Sequence, residues 1–396
     1  MSNGPNGVAA YRHNIYSRAA LLDPYPHYRR LRDAGPVVRL HGHRVYALPR
    51  YAECKATLRN DGAFISGRGV ALNPFSNRLS RGTTLNSDGA EHDQRRKLLA
   101  HRLLPRALRS VSEAIEKQAD AVVDAAVRRG HVDAVADLAT ALPLAIVPDL
   151  VGWPRDQRKH LIDWAGATFD ILGPLNWQAI KATPRSLQML LFARRVVRQR
   201  TVLDGSMAHE LLCAADAGRL SYDDCPALMI DYLAPSLDTT ISAISNALYL
   251  LGTHPEQWRL LKEQPGLIPN AVNEVIRYES PLRAFARQVC RDTEIAGTRI
   301  PAGSRVLVMY ASANRDENEW DRPEIFDIRR DAARHIGFGH GTHACAGQGL
   351  SRMETAAILR ALLERVDRID VVGQPVWAVN NIIRRHQYLP LKLTPA

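Results

Sequence analysis

Apolar residues recur along most of this chain at the three- and four-residue intervals of a helix. Over residues 348–366, Leu350, Met353, Ala357, Leu359, Leu362, Leu363 and Val366 keep that period and predict a long helix. Residues 24–34 read as a short helix closed by Gly35-Pro36, and residues 51–60 as another closed by Asp61-Gly62. Residues 90–252 are mostly helical, with breaks at Pro105, Gly130-His131, Gly152-Trp153-Pro154, Gly173-Pro174 and Gly205. Ser221 with Asp224 three residues on has the spacing of a capping box, so the longest helix is predicted from Ser221 to about Leu251. A further helix is predicted over residues 269–278. Period-two alternation is confined to residues 37–40 and 44–48, which read as a hairpin, and to short segments between Phe285 and Met309. Residues 67–89 keep neither period and are rich in turn formers, which predicts a long loop of the kind that usually carries function. The pattern as a whole predicts a fold that is mainly α with a small β region.

Composition narrows the picture. A chain of 396 residues exceeds the usual domain size. No linker, repeat or low-complexity block divides it, so a single domain over residues 21–396 is expected behind a polar N-terminal segment, residues 1–20. That segment has no apolar run suited to a membrane span or a signal sequence. Cys54, Cys213, Cys225, Cys290 and Cys345 are scattered and do not form a disulfide framework. A cytoplasmic protein without a membrane partner is expected. The net charge of +11 would suit nucleic acid, but the 52 Lys and Arg residues are spread along the chain without aromatic interleaving. An acidic protein partner fits that charge better.

The candidate chemistry sits in residues 338–347, Phe-Gly-His-Gly-Thr-His-Ala-Cys-Ala-Gly. Cys345 falls at the N-terminus of the predicted 348–366 helix, where free N–H groups and the helix dipole lower a thiol's pKa and favour the thiolate. Gly339 and Gly341 permit the positive φ angles of a tight turn, while Ala344, Ala346 and Gly347 leave a flat surface for a broad planar ligand. A metal knuckle of His340, His343 and Cys345 is the competing reading. It lacks the second ligand pair that zinc sites recruit, and no CxxCH motif offers covalent haem attachment. Haem held by the Cys345 thiolate is the better expectation.

The decapeptide resembles the Phe-Gly-x-Gly-x-His-x-Cys-x-Gly signature of the cytochrome P450 family at every fixed position. Residues 32–38, 68–70 and 312–316 look closest to bacterial members that oxidise para-substituted benzoic acids. The resemblance implies a triangular-prism fold, haem b (iron protoporphyrin IX) bound through Cys345, and insertion of one atom of O2 into an organic substrate. It also implies roles for particular residues. Glu274 and Arg277, at i,i+3 on one helix face, would lock with Arg330, or with Arg329, in a buried structural triad. His92, Arg96, Arg287 and His343 would hold the haem propionates, with Phe338 and Gly347 framing the ligand loop. Asp238 and Thr239 would be the acid–alcohol pair, Thr239 holding oxygen and a water while Asp238 relays protons. Pro235 and Ser236 depart from the small residues the family usually has there. A proline cannot donate to the Asp231 carbonyl and should kink the helix.

By the same resemblance the substrate pocket would draw on Arg68, Phe75, Phe169, Ala234, Leu237, Leu282 and Phe285, a mainly apolar set suited to a small aromatic ring. In the benzoate-oxidising members an arginine and a serine early in the long helix help hold the carboxylate. The corresponding residues here are Ile230 and Asp231, and Asp231 would repel a carboxylate. Arg68 remains to bind an anionic or phenolic group. The expected reaction is hydroxylation or O-dealkylation of a small aromatic molecule. Tailoring of a natural-product scaffold and peroxide-driven oxygenation are the alternatives. The chain carries no flavin or iron–sulfur motif, so electrons are expected from a separate ferredoxin and its NAD(P)H-dependent reductase. The basic cluster Arg95, Lys97, Arg102, Arg106 and Arg109 would receive the ferredoxin.

Overall fold

The computed structural model describes residues 2–3 and 8–396, and its axis is one long helix, Cys225–Thr253. With 29 residues it spans about 43 Å at the usual rise. From Leu237 to Leu251 it is buried on almost every face, which makes it a core helix rather than an amphipathic surface one. Ala141–Val151, Leu161–Asp170, Trp177–Gln199 and Gln348–Arg365 pack around it and, with Pro105–Arg129, close a single apolar core. The helix starts at Cys225, four residues later than the capping-box spacing predicts. Ser221 Oγ accepts the Asp223 N–H instead, a local turn that competes with helix formation.

The β region is a seven-stranded sheet in the order Ser2–Asn3, Ala9–Tyr11, Val38–Leu40, Val45–Leu48, Arg305–Val308, Phe285–Val289, Phe64–Ile65. Val38 stands opposite Ala47 in the predicted hairpin. Val45–Leu48 also pairs in parallel with Arg305–Val308, joining distant parts of the chain. Ala9–Tyr11 pairs in parallel with Val38–Leu40, with Ala10 and Tyr11 buried, so part of the N-terminal stretch expected only as a polar segment is a sheet strand. Residues 1 and 4–7 of that stretch lie outside the described residues. A second, three-stranded sheet orders Val366–Val371, Pro390–Pro395 and His131–Asp133 against the helical side.

The 67–89 segment is not all loop. Asn73 accepts the Ser76 N–H at 2.8 Å and Pro74 takes the first helical position, so Pro74–Leu79 forms a short helix. Asn77 Oδ1 and Asn86 Oδ1 accept the N–H groups of Ala71 and Val70, which orders the rest. Ile268–Tyr278 places Glu274 and Arg277 fully buried, with paired bonds of 2.7 and 2.8 Å. Arg330 Nε reaches the same carboxylate at 3.3 Å, while Arg329 pairs with Asp327 at the surface. The triad therefore closes through Arg330. Among the described residues no helix is long and apolar enough to cross a membrane.

Candidate active site

The Cys345 loop is shaped by its backbone. The Cys345 N–H donates to the Phe338 carbonyl at 2.8 Å, and Gly339 and Gly341 take φ of +72° and +69°. A Cβ at Gly341 would stand 2.2 Å from the Leu58 carbonyl oxygen, so only glycine fits. The following helix, Gln348–Arg365, starts three residues after Cys345. Burial nevertheless pushes the Cys345 thiol above its ordinary range; the Gly347 N–H, Arg96, Arg352 and the Gln348 N–H pull the other way without prevailing. Helix end and guanidinium groups thus favour the thiolate, while desolvation opposes it. A coordinated metal cation would supply the missing positive charge and deprotonate the thiol. Arg352 lies over the Phe338 ring, 4.4 Å from its centroid, and fixes that ring near the cysteine. His340 Nε2 is engaged by Arg59 at 2.7 Å rather than turned toward Cys345 as a knuckle ligand.

Cys345 opens onto a cavity with about 1300 Å³ of empty space, its open mouth included. Tyr232, Pro235, Ser236, Thr239, Thr240 and Ala243 of the long helix form the facing wall, a stripe at helical spacing. Thr239 Oγ1 donates to the Pro235 carbonyl at 2.7 Å. The helix runs on through Pro235 without interruption, although that residue brings no N–H to it.

Asp238 follows a different path from its neighbour. It is buried but does not line the cavity. Its Oδ1 accepts Arg385 Nε at 2.7 Å, and its Oδ2 has no partner. Burial raises the Asp238 carboxyl, with Arg385 opposing. Asp170 sits close by; burial, with a contribution from the Asp238 charge, pushes it up to about 7. Arg385 was missed by sequence reasoning, and its only local signal is the basic triplet Arg384-Arg385-His386.

Arg96, Arg287 and His343 line the cavity beside the cysteine loop, and the His92 ring packs against the His343 ring at 4.4 Å. Arg96 is oriented by bonds to the Thr342 and Ala344 carbonyls. His92 Nε2 and His343 Nε2 are buried without hydrogen-bond partners; Asp88, at 3.8 Å from His343, is too far to serve. Two orphaned imidazole nitrogens beside two guanidinium groups call for anionic oxygen. The two propionates of haem b meet that need, and Cys345 faces the same space. The residues present fit haem b.

Of the expected pocket residues, Phe169, Leu282 and Phe285 line the cavity. Ala234 and Leu237 do not. They project from the opposite side of the long helix into the apolar core, because successive helical residues turn by about 100°. Phe75 is 56% exposed, since the short helix turns Ser76 and Asn77 inward. Arg68 is also exposed, and its carbonyl accepts from Arg305. Leu85, from the 67–86 segment, and Tyr232, from the long helix, also line the cavity, as expected of those segments; Tyr310 comes from a segment not expected there. Asp231 joins them, with Oδ2 accepting the Thr84 N–H at 2.8 Å. A second cavity shares Leu85, Phe169, Asp231 and Pro235 with the first. The basic cluster is smaller than expected. Arg95 pairs with Glu91 and Asp224, and Arg102 with Glu210, leaving Lys97, Arg106 and Arg109 exposed.

Several known proteins are similar to this chain. The family model described as Cytochrome P450 matches residues 179–370. Cytochrome p450 CYP199A2 of Rhodopseudomonas palustris is 36% identical over 378 residues, covering 94% of this chain and 92% of the relative. The beta-dihydromenaquinone-9 omega-hydroxylase of Mycobacterium tuberculosis is 32% identical over 394 residues, covering 96% and 78%. Among solved structures, epothilone D-bound cytochrome P450epoK superposes with a TM-score of 0.86 at 26% identity, covering 98% of this chain and 100% of that one.

Proposed function

The chain belongs to the cytochrome P450 family and is a haem-dependent monooxygenase; from that premise we propose that its substrate is a small aromatic molecule, hydroxylated or O-dealkylated. The observation that carries this reading is the wall of Phe169, Leu282, Phe285 and Tyr310 around the space between Thr239 and Cys345. We further propose that electrons come from an iron–sulfur ferredoxin and its NAD(P)H-dependent reductase, in the cytoplasm, with Lys97, Arg106 and Arg109 as the docking charges.

When bound through Cys345, haem b supplies the iron that activates O2 and, through the thiolate, favours O–O cleavage. The chain's own residues do the rest. His92, Arg96, Arg287 and His343 would anchor the propionates and set the plane of the ring. Thr239 gives its hydroxyl proton to the Pro235 carbonyl, so its lone pairs remain to accept from water or a protonated oxygen in the cavity. Asp238 would hold the proton to be delivered. Its carboxyl is raised by burial, and Arg385 must yield before Asp238 turns toward Thr239. The apolar walls limit water around the reacting carbon, which leaves Asp238 and Thr239 as the proposed proton route.

A ferrous–CO spectrum of the purified holoprotein reports thiolate ligation. NADH-driven turnover of single-ring aromatic ethers, with ferredoxin and reductase added, tests the substrate and partner together. Product formed only with H2O2 would assign a peroxygenase instead. The second cavity, which shares Leu85, Phe169, Asp231 and Pro235 with the first, supports natural-product tailoring as the other reading. Turnover of polycyclic scaffolds with none of single rings would establish it.

A further inference from the structure

The charged residues around the two adjoining cavities are unevenly placed. Arg96 and Arg287 belong to the end near Cys345, where Arg96 bonds the carbonyls of Thr342 and Ala344 and Arg287 adds positive charge beside His343. Asp231 is the charged side chain common to both cavities. It stands two helical turns before Thr239, about 12 Å away by helical rise. Its carboxylate is positioned rather than mobile, because Oδ2 accepts the Thr84 N–H at 2.8 Å. Among the described residues no ion pair forms at Asp231; Arg95, the cation whose charge it feels, is engaged by Glu91 and Asp224. Asp231 is half-buried in the cavity wall, and burial pushes its carboxyl up to about 6, opposed by hydrogen bonds from Thr84 and the Leu85 N–H and by the charge of Arg95. A carboxylate without an ion-pair partner in the wall of a largely apolar cavity attracts a cation with N–H donors and repels another carboxylate.

We propose that Asp231 anchors the substrate, and that the substrate is a small aromatic molecule bearing a protonated amine, held with its ammonium at Asp231 and its opposite edge toward Thr239. This rests on the reading that the cavity facing Cys345 takes a single-ring substrate. The para-disposed ring then presents its far substituent for oxidation. The same carboxylate excludes benzoates, so the relevant aromatic acids would be poor ligands.

The test is a spin-state titration of the holoprotein with three matched ligands: 4-methoxybenzylamine, 4-methoxybenzyl alcohol and 4-methoxybenzoate. It is run at about pH 8, where a carboxyl near 6 is ionised and a benzylic amine still protonated. The amine should bind with a low-to-high-spin shift at least about tenfold more tightly than the alcohol, the scale of one charge-assisted hydrogen bond, and the benzoate should not bind. Asp231→Asn keeps an acceptor for Thr84 and removes the charge. It should erase the amine's advantage while leaving the alcohol's affinity within about threefold, a change too small to reflect a lost charged contact. Equal weakening of amine and alcohol in Asp231→Asn would make Asp231 a loop pin only and overturn the proposal. So would tighter binding of benzoate, or a red-shifted low-spin spectrum showing that the amine nitrogen ligates iron. Binding of the alcohol without the amine sinks this inference alone; binding of none of the three sinks the single-ring reading with it.

Discussion

Asp238 and Thr239 are adjacent in sequence, yet the cavity receives only Thr239, while Asp238 is tied to Arg385. Asp238→Asn should leave ligand-induced spin shifts intact and slow NADH-driven oxidation about a hundredfold, the usual size of a lost proton donor. Stopped-flow turnover with product analysis measures it, and unimpaired product formation would remove Asp238 from the proton path. Glu354, buried with both oxygens unpartnered, is pushed up to about 8 and so stays protonated in the folded protein at neutral pH. An unfolded chain releases that proton above the ordinary glutamate range, so the folded state binds more protons and loses stability as pH rises from about 4.5 toward 8. Glu354→Gln should flatten the fall of Tm over that window; an unchanged slope would place the linkage elsewhere. Cys345, His343 and Thr239 were legible because each belongs to a short motif. Arg385 was not, because its partner lies 147 residues away.

The ligand-bearing elements owe their shape to local chemistry with one costly exception. Pro235 sits inside the long helix, where a proline usually costs about 3 kcal/mol. Pro235→Ala restores an N–H for the Asp231 carbonyl and should raise Tm. If Pro235 matters for oxygen handling, peroxide released per NADH consumed should rise in Pro235→Ala; raised Tm with unchanged coupling would make the proline incidental. The helix Ile268–Tyr278 offers a sharper contrast. Glu274→Ala strands the buried Arg277 and should cost about 3–5 kcal/mol, with low haem content after expression. Arg329→Ala should stay within about 0.5 kcal/mol, because that side chain lies at the surface. Denaturant unfolding of both variants checks the pair. Helix periods and glycine stops placed most helices in advance. The Pro74–Leu79 helix escaped notice because its cap, Asn73, sits in a segment too short to show a period.

Over the whole molecule, the net charge of +11 becomes useful only where it is left unpaired. Charge reversal at Arg106 and Arg109 should slow reduction by an acidic ferredoxin and weaken the salt dependence of that rate, while peroxide-driven turnover holds steady. Equal loss in both assays would point to misfolding instead of docking. By itself the sequence determined the helical framework, the hairpin at residues 38–48 and the glycine-hinged cysteine loop. Each depends on interactions within a few residues: a repeating apolar face, a cap, a turn that only glycine can make. Tertiary structure alone decided that Val45–Leu48 pairs with Arg305–Val308, that Arg330 completes the Glu274 triad rather than Arg329, and that Ala234 and Leu237 face the core while Asp231 faces the cavity. Those outcomes are settled by which surfaces of distant elements meet, and by the desolvation each charge undergoes once they do.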